Sequence, residues 1–417
     1  MKKITLAVVS DLHYRKHGSD LICRPAIAMQ GTHADPMASL IAFLEDYKGR
    51  FGESVSVADY LICPGDISDR GSHEGFDEGW SQLKQLQLVL GASHLLAATG
   101  NHEVDSRVSV AHDTAGNAEL NVDPIQALQR HDDYPSTLLA GSDRRWIYWG
   151  RGYEFIEEEA VLFLLINTSH YHSTTRTNEF ERGRIGDIAL RCLREEMKLR
   201  VNQAKNKLFV AIMHHHPVPH QDLDVDLGKI EMDNGARLME VFAESDVSWL
   251  ILHGHKHFPR LVRGQSSTGA IVFAAGSLGA HLHGTLAAKT QPQFYLIDAF
   301  VVNQDSQPEA CGSIRAFSWS GSKWDVATQR NQGLPDRCGY RVPQLDISVL
   351  AKTVKEVLDG HSSPFVEWSE LVELVPSLGN LLPEETRRLE KSLRVAKVNT
   401  VWPDENWFPT DVAKDRT

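Results

Sequence analysis

The chain has 417 residues, 42% of them hydrophobic and 24% charged, which excludes wholesale disorder and leaves room for one large domain plus an accessory region. Lys plus Arg number 43 and Asp plus Glu 55, a net charge of −12, so a broad electrostatic footprint on nucleic acid or an anionic membrane is disfavoured. The five Cys are scattered without a CxxC, which predicts reduced thiols rather than a disulfide framework or thiolate zinc site. Without a run of about eighteen apolar residues, a cytoplasmic protein is the expectation.

Ile4–Val9 reads as a buried strand that delivers Asp11-Leu12-His13 to its carboxyl end. Asp35-Pro36 then supplies an N-cap and first helical residue, with Met37, Leu40, Ile41 and Leu44 on one face. Tyr60–Cys63 is a second strand, ending at Gly65-Asp66-Ile67-Ser68-Asp69-Arg70-Gly71, and Phe76, Trp80 and Leu83 mark the next helix. Leu95–Thr99 is a third strand, ending in Gly100-Asn101-His102-Glu103. Residues 104–148 are polar and read as an insertion. Phe155–Glu158 and Val161–Ile166 form an antiparallel pair, and Asn167–Arg184 a polar loop containing His170, His172 and Arg176.

Ile185–Arg200 is helical, and Leu208–Met213 is a strand ending in His214-His215-His216-Pro217. Asn234 is placed to cap a helix through Val241, after which Trp249–Leu252 ends in His253-Gly254-His255-Lys256-His257. Ile271–Ala275, Phe294–Ile297 and Ile314–Trp319 follow as short strands without helices between them. Beyond about residue 330, helices are expected from Asp346, from Ser363-Pro364 and from Pro383, the last with Arg387, Arg388, Lys391, Arg394 and Lys397 mostly outside. This divides the chain into residues 1–330 and a helical extension, 331–417. Strands alternating with helices, each strand ending in polar chemistry, describe an α/β sheet with its site at the carboxyl edge.

Gly-Asp stretches are first of all turn formers, and a lone His-x-His is commonly a polar strand end. Five His, Asp and Asn clusters, each following an apolar run, are harder to explain that way. Asp11 and His13 sit two apart, as do His255 and His257, so each pair can face one ion from an extended chain. Carboxylate and imidazole donors without thiolate suit manganese, iron or zinc.

Asp11-x-His13, Gly65-Asp66-x-x-Asp69, Gly100-Asn101-His102-Glu103, His215 before Pro217 and Gly254-His255-x-His257 together resemble the signature of the calcineurin-like metallophosphoesterases. The resemblance implies a four-layer αββα sandwich of two mixed β-sheets flanked by helices, here with the C-terminal helical extension, and two metal ions at the strand ends. Carried over, it implies that Asp11, His13 and His257 hold one metal and Asn101, His215 and His255 the other, with Asp66 bridging. Among His214, His215 and His216, strand alternation puts His215 opposite the other two; His215 is chosen because the family ligand usually stands two residues before the proline.

Water held between two such cations ionises near neutral pH and becomes a nucleophile for attack on phosphorus. His102, at the rim beside Asn101, is placed to stabilise or protonate the leaving oxygen; the resemblance implies that Asp69 would orient it, and Arg70 would offer forked donors to a phosphate oxygen. The Asp69-Arg70-Gly71 ending also resembles the protein serine/threonine phosphatases, whereas Gly254-His255-Lys256-His257 is similar to the cyclic-nucleotide phosphodiesterase branch. The expected reaction is therefore hydrolysis of a phosphodiester in a cyclic or other small nucleotide. Phosphomonoesterase and nuclease are the alternatives, and a metal-free protein-binding scaffold is disfavoured because every proposed ligand position carries a suitable side chain.

Overall fold

In the computed structural model, residues 3–17, 20–23, 35–51, 56–104, 124–172, 182–204, 206–219, 231–264, 269–282, 284–304, 307–403 and 406–414 are described. The strands in chain order are β1 (Lys3–Val8), β2 (Arg15–His17), β3 (Asp20–Ile22), β4 (Tyr60–Cys63), β5 (His94–Ala97), β6 (Tyr153–Glu157), β7 (Val161–Ile166), β8 (Leu208–Ile212) and β9 (Trp249–His253). Then come β10 (Arg260–Arg263), β11 (Ile271–Ala274), β12 (Gln293–Gln304), β13 (Gln307–Trp319), β14 (Trp324–Val326), β15 (Cys338–Val342), β16 (Phe365–Glu367), β17 (Val398–Val401) and β18 (Asp411–Lys414).

Two large mixed sheets result. One has the order β14-β13-β12-β1-β4-β5, with β15 also paired to β13; the other runs β10-β11-β9-β8-β7-β6. In the first, β1, β4 and β5 are parallel, with Leu6 opposite Tyr60 and Leu61 opposite Leu95. In the second, β7, β8, β9 and β11 are parallel. Such strands read as unbroken apolar runs because both faces are covered.

Alternation along β7 shows how. Val161, Phe163 and Leu165 face the core shared with the first sheet, whereas Leu162, Leu164 and Ile166 face helices Asp187–Gln203 and Gly235–Glu244 through Leu190, Leu193, Met197, Leu238 and Phe242. Helices Pro36–Phe51 and His73–Leu90 cover the first sheet with Met37, Leu40, Phe76 and Trp80. The result is the four-layer helix-sheet-sheet-helix arrangement expected. Each fully buried Phe or Leu here contributes about 1.5–3 kcal/mol.

Local chemistry sets several helix ends. Asp35 accepts from the N–H groups of Met37 and Ala38 at 2.8 and 3.2 Å, as its position before Pro36 predicts. Asn234 does not cap: its backbone is left-handed at φ 63°, and its amide donates to the Ile185 carbonyl at 2.8 Å. Within the polar stretch 104–148, Arg144–Arg151 is helical, while residues 105–123 and Arg176 lie outside the described residues. The late strands were expected to be short and uninterrupted. Instead β12 and β13 form a long antiparallel hairpin, and helix Gly284–Lys289 precedes it.

Residues 338–342 pair with β13, so the large sheet continues past residue 330. Helices Ile347–Gly360, Trp368–Leu374 and Pro383–Val395 follow. Phe365–Glu367, where a helix was expected to start, is instead a strand, and β16, β18 and β17 make a small antiparallel sheet. Leu350, Val354, Leu371, Leu389, Leu393 and Val412 share a core of their own.

Candidate metal centre

Because the parallel strands of both sheets point the same way, the segments leaving β1, β4, β5, β8 and β9 meet at one edge. Backbone bonds lock them there: Asp11 N–H donates to the Gly65 carbonyl at 3.0 Å, His13 N–H to Asp66 at 3.0 Å, and Gly254 N–H to His214 at 3.1 Å. Close approach requires glycine at two positions. A Cβ on Gly100 would collide with the Asp66 carboxylate, and one on Gly254 with that of Asp11. Ten non-glycine residues have positive φ among the described residues, and five of these are Asp11 (53°), His13 (49°), Asp66 (53°), His255 (79°) and His257 (58°). Left-handed backbone is unfavourable for residues with a Cβ, so the surrounding fold holds these side chains in place at a cost.

Two groups of donors face each other. In the first, donor atoms of Asp11, His13, Asp66 and His257 lie within 4.8 Å of one another. His257 Nε2 is 3.3 Å from Asp11 Oδ1 and 3.2 Å from His13 Nε2. The second contains His214, His215 and His255, with Asn101 Oδ1 placed 3.1 Å from both His214 Nε2 and His255 Nδ1. Asp66 touches both groups, its Oδ2 lying 3.2 Å from His214 Nε2 and 3.8 Å from His13 Nε2.

His214 was not the residue selected from the sequence. Its Nδ1 faces the Pro64 carbonyl at 3.0 Å, so that nitrogen carries hydrogen. Burial disfavours charge on this ring, but the Asp66 carboxylate 3.2 Å from Nε2 outweighs it and raises the imidazole to about 9; Nε2 thus sits between Asp66 Oδ2 and Asn101 Oδ1, where a cation could take the place of its proton. His215 instead meets the Thr168 hydroxyl through Nδ1 at 2.8 Å, stacks on His172 with ring centroids 5.2 Å apart, and leaves Nε2 buried without a hydrogen-bond partner. All three imidazoles surround His255, with centroid distances of 5.2, 4.5 and 5.8 Å. The expected alternation fails because β8 ends at Ile212, before the histidines begin.

His102 stands at the rim. Its Nδ1 is 2.9 Å from Asp69 Oδ1. Burial resists ionisation of Asp69, but hydrogen bonds from His102 and His13 hold it well below the usual carboxylate range. Burial also disfavours charge on His102, yet the carboxylates of Asp66 and Asp69 outweigh it and raise the imidazole above its ordinary value. Arg70 is exposed, its backbone nitrogen 3.2 Å from a His102 Nδ1 that already donates to Asp69; among the described residues the guanidinium that reaches this pair is that of Arg15, 3.9 Å from Asp69 Oδ2.

Glu103 has a function that sequence reasoning missed, although it was visible as the last residue of its motif. Only 2% exposed, it accepts from the N–H groups of Asp66 (2.9 Å), Ser68 (2.9 Å) and Gly100 (2.6 Å), fastening the β4 and β5 exits together. Burial, reinforced by the charge of Asp66, pushes its carboxyl up to about 7 against those bonds.

Donors rich in carboxylate and imidazole, converging in a buried pocket, fit a pair of metal ions and support phosphoester chemistry. No curated protein matches the chain. Among solved structures, a dimetal phosphatase from Danio rerio aligns with TM-score 0.44 and 11% identity, over 78% of this chain and 98% of that one. A purple acid phosphatase from yellow lupin (Lupinus luteus) seeds aligns with TM-score 0.44 and 14% identity, over 78% and 53%. A calcineurin-associated winged helix-turn-helix model matches residues 343–394. The calcineurin-like phosphoesterase model matches residues 4–259, a span that takes in every strand-end cluster and more than half of the sequence, and the chain accordingly belongs to that family as a metal-dependent phosphoester hydrolase.

Proposed function

We propose that the substrate is a phosphodiester, cyclic or otherwise, of a small nucleotide. The observation that carries this preference is the charge at the rim. Among the described residues, Arg15 lies 3.9 Å from Asp69 Oδ2 and Arg70 is exposed, so the guanidinium charge near the His102–Asp69 pair is shared with a carboxylate. A diester with one negative charge needs less compensation than a monoester dianion.

Asp11, His13 and His257 would hold one metal and Asn101, His255 and His214 the other, with Asp66 shared; His214 is preferred to His215 because its Nε2 lies 3.2 Å from Asp66 Oδ2 and 3.1 Å from Asn101 Oδ1. When bound, the cations supply Lewis-acid polarisation and acidify water. Manganese, iron and zinc all suit these donors. His102 stands ready to give a proton to the departing ester oxygen, and Asp69 fixes the imidazole for that transfer. Residues 1–342 form the catalytic unit and 343–417 an accessory one, a boundary supported by the pairing of β15 with β13.

The test compares bis(p-nitrophenyl) phosphate with p-nitrophenyl phosphate on metal-loaded protein, followed by cyclic nucleotides and dinucleotides. The diester should have the higher kcat/KM. A preference for the monoester would make the chain a phosphomonoesterase.

A further inference from the structure

β5 ends its sheet and, among the described strands, pairs only with β4, so the N–H groups of alternate residues along its other edge need partners from elsewhere. The polar stretch after Glu103 supplies them one by one. Leu95 N–H donates to Thr137 Oγ1 at 3.0 Å, Ala97 N–H to the Pro135 carbonyl at 2.7 Å, and Thr99 N–H to the Tyr148 hydroxyl at 3.2 Å. The first two complete a strand edge. The third lies beyond the end of β5, on the segment that carries Asn101 and His102.

Thr99 is fully buried, and each of its polar atoms is bonded. Its Oγ1 lies 2.9 Å from the Tyr148 hydroxyl and accepts from that of Tyr134, also at 2.9 Å; its carbonyl accepts from Ser169 Oγ at 3.0 Å. Burial pushes both phenols well above their usual range and keeps them neutral. Ser169 comes from the exit of β7 in the other large sheet, so Thr99 is a rivet between the two sheets just ahead of the donor groups. Two residues back, Asn167 N–H donates to the Gly152 carbonyl at 2.8 Å, and Gly152 N–H donates to the Tyr148 carbonyl at 3.0 Å. Helix Arg144–Arg151 and the β7 exit therefore hold one another.

Packing in the core accounts for the ring of Tyr148 but not for its oxygen, since Phe would fill the same space. The oxygen takes the place that a neighbouring strand's carbonyl would have, where no strand continues. We propose that Tyr148 is a positioning residue, whose hydroxyl fixes the Thr99 peptide so that Asn101 meets His214 and His255 and His102 stands at the rim. This rests on the metal-ligand reading given under the proposed function.

The test is Tyr148→Phe in the full chain, with two readouts. Hydrogen exchange of the metal-free protein should be faster over residues 98–103 and unchanged over β8. Cobalt(II) titration followed by visible absorption should show two binding steps in the parent. The step that His214→Ala removes should weaken by about tenfold in Tyr148→Phe, and the other should keep its affinity. If Tyr148→Phe does not fold, Thr99→Val removes the other half of the same bond and is read identically.

Tyr153→Phe is the control for losing a buried phenol oxygen: Tyr153 is equally buried, its hydroxyl bonds Glu196 at 3.4 Å, and its loss should change neither readout. The proposal is overturned by parental exchange over residues 98–103, by faster exchange there with both cobalt steps unchanged, by equal weakening of the two steps, or by the same weakening in Tyr153→Phe. A parent that takes up fewer than two cobalt ions overturns the metal-ligand reading instead.

Discussion

The two donor groups at the sheet edge differ in charge more than in shape. Asp11, His13, Asp66 and His257 include two carboxylates, whereas His214, His255 and Asn101 offer imidazole and amide, with His215 packed alongside. A harder ion is favoured by the first set and a more nitrogen-loving one by the second. Asp66 belongs to both, so the two positions differ in preference yet share one anchoring charge.

Removing the shared charge should have the largest effect. Asp66→Asn should lower kcat by roughly a thousandfold or more and deplete both positions, as read by metal analysis of the purified protein. Retention of both ions at parental affinity would break the idea of a bridge. Next come the histidines: His214→Ala should lose the ion of the nitrogen-rich position while the other is kept, and activity should fall by about 10²–10³-fold. His215→Ala should keep both ions. The opposite pattern would restore the assignment made by counting back from Pro217.

His102→Ala tests the rim shared by both groups. It should slow alkyl diesters by about 10²–10⁴-fold but p-nitrophenyl esters far less, since a good leaving group needs no proton; equal losses would remove the acid role. The smallest effect is expected for Glu103→Gln, which replaces a threefold acceptor with a side chain that also donates. It should reduce affinity for both metals by about tenfold, and loss at only one position would contradict the idea that Glu103 fastens the two exits jointly.

The catalytic fold was legible because buried parallel strands leave continuous apolar runs, and five of the runs here end at clusters of His, Asp or Asn. Tyr60–Cys63 and Val161–Ile166 need no tertiary knowledge to be found. Register at the histidine triplet was not legible in that way. The sequence offers three equivalent imidazoles, and the choice depends on where β8 stops, a tertiary matter. Arg144–Arg151 escaped notice because RRWIYWGR has too few turns to establish a period. The small C-terminal sheet escaped because its strands are three or four residues long and take their partners from distant segments. Arg70 reads as a phosphate contact from its forked donors; its side chain is exposed, and Arg15, which the sequence did not single out, lies 3.9 Å from Asp69 Oδ2.

The positive φ values at Asp11, His13, Asp66, His255 and His257 bear on how the centre could be re-engineered. Glycine at any of them would relax the backbone by about 1 kcal/mol while deleting a donor, so the backbone strain and the donor set cannot be separated by substitution at these positions.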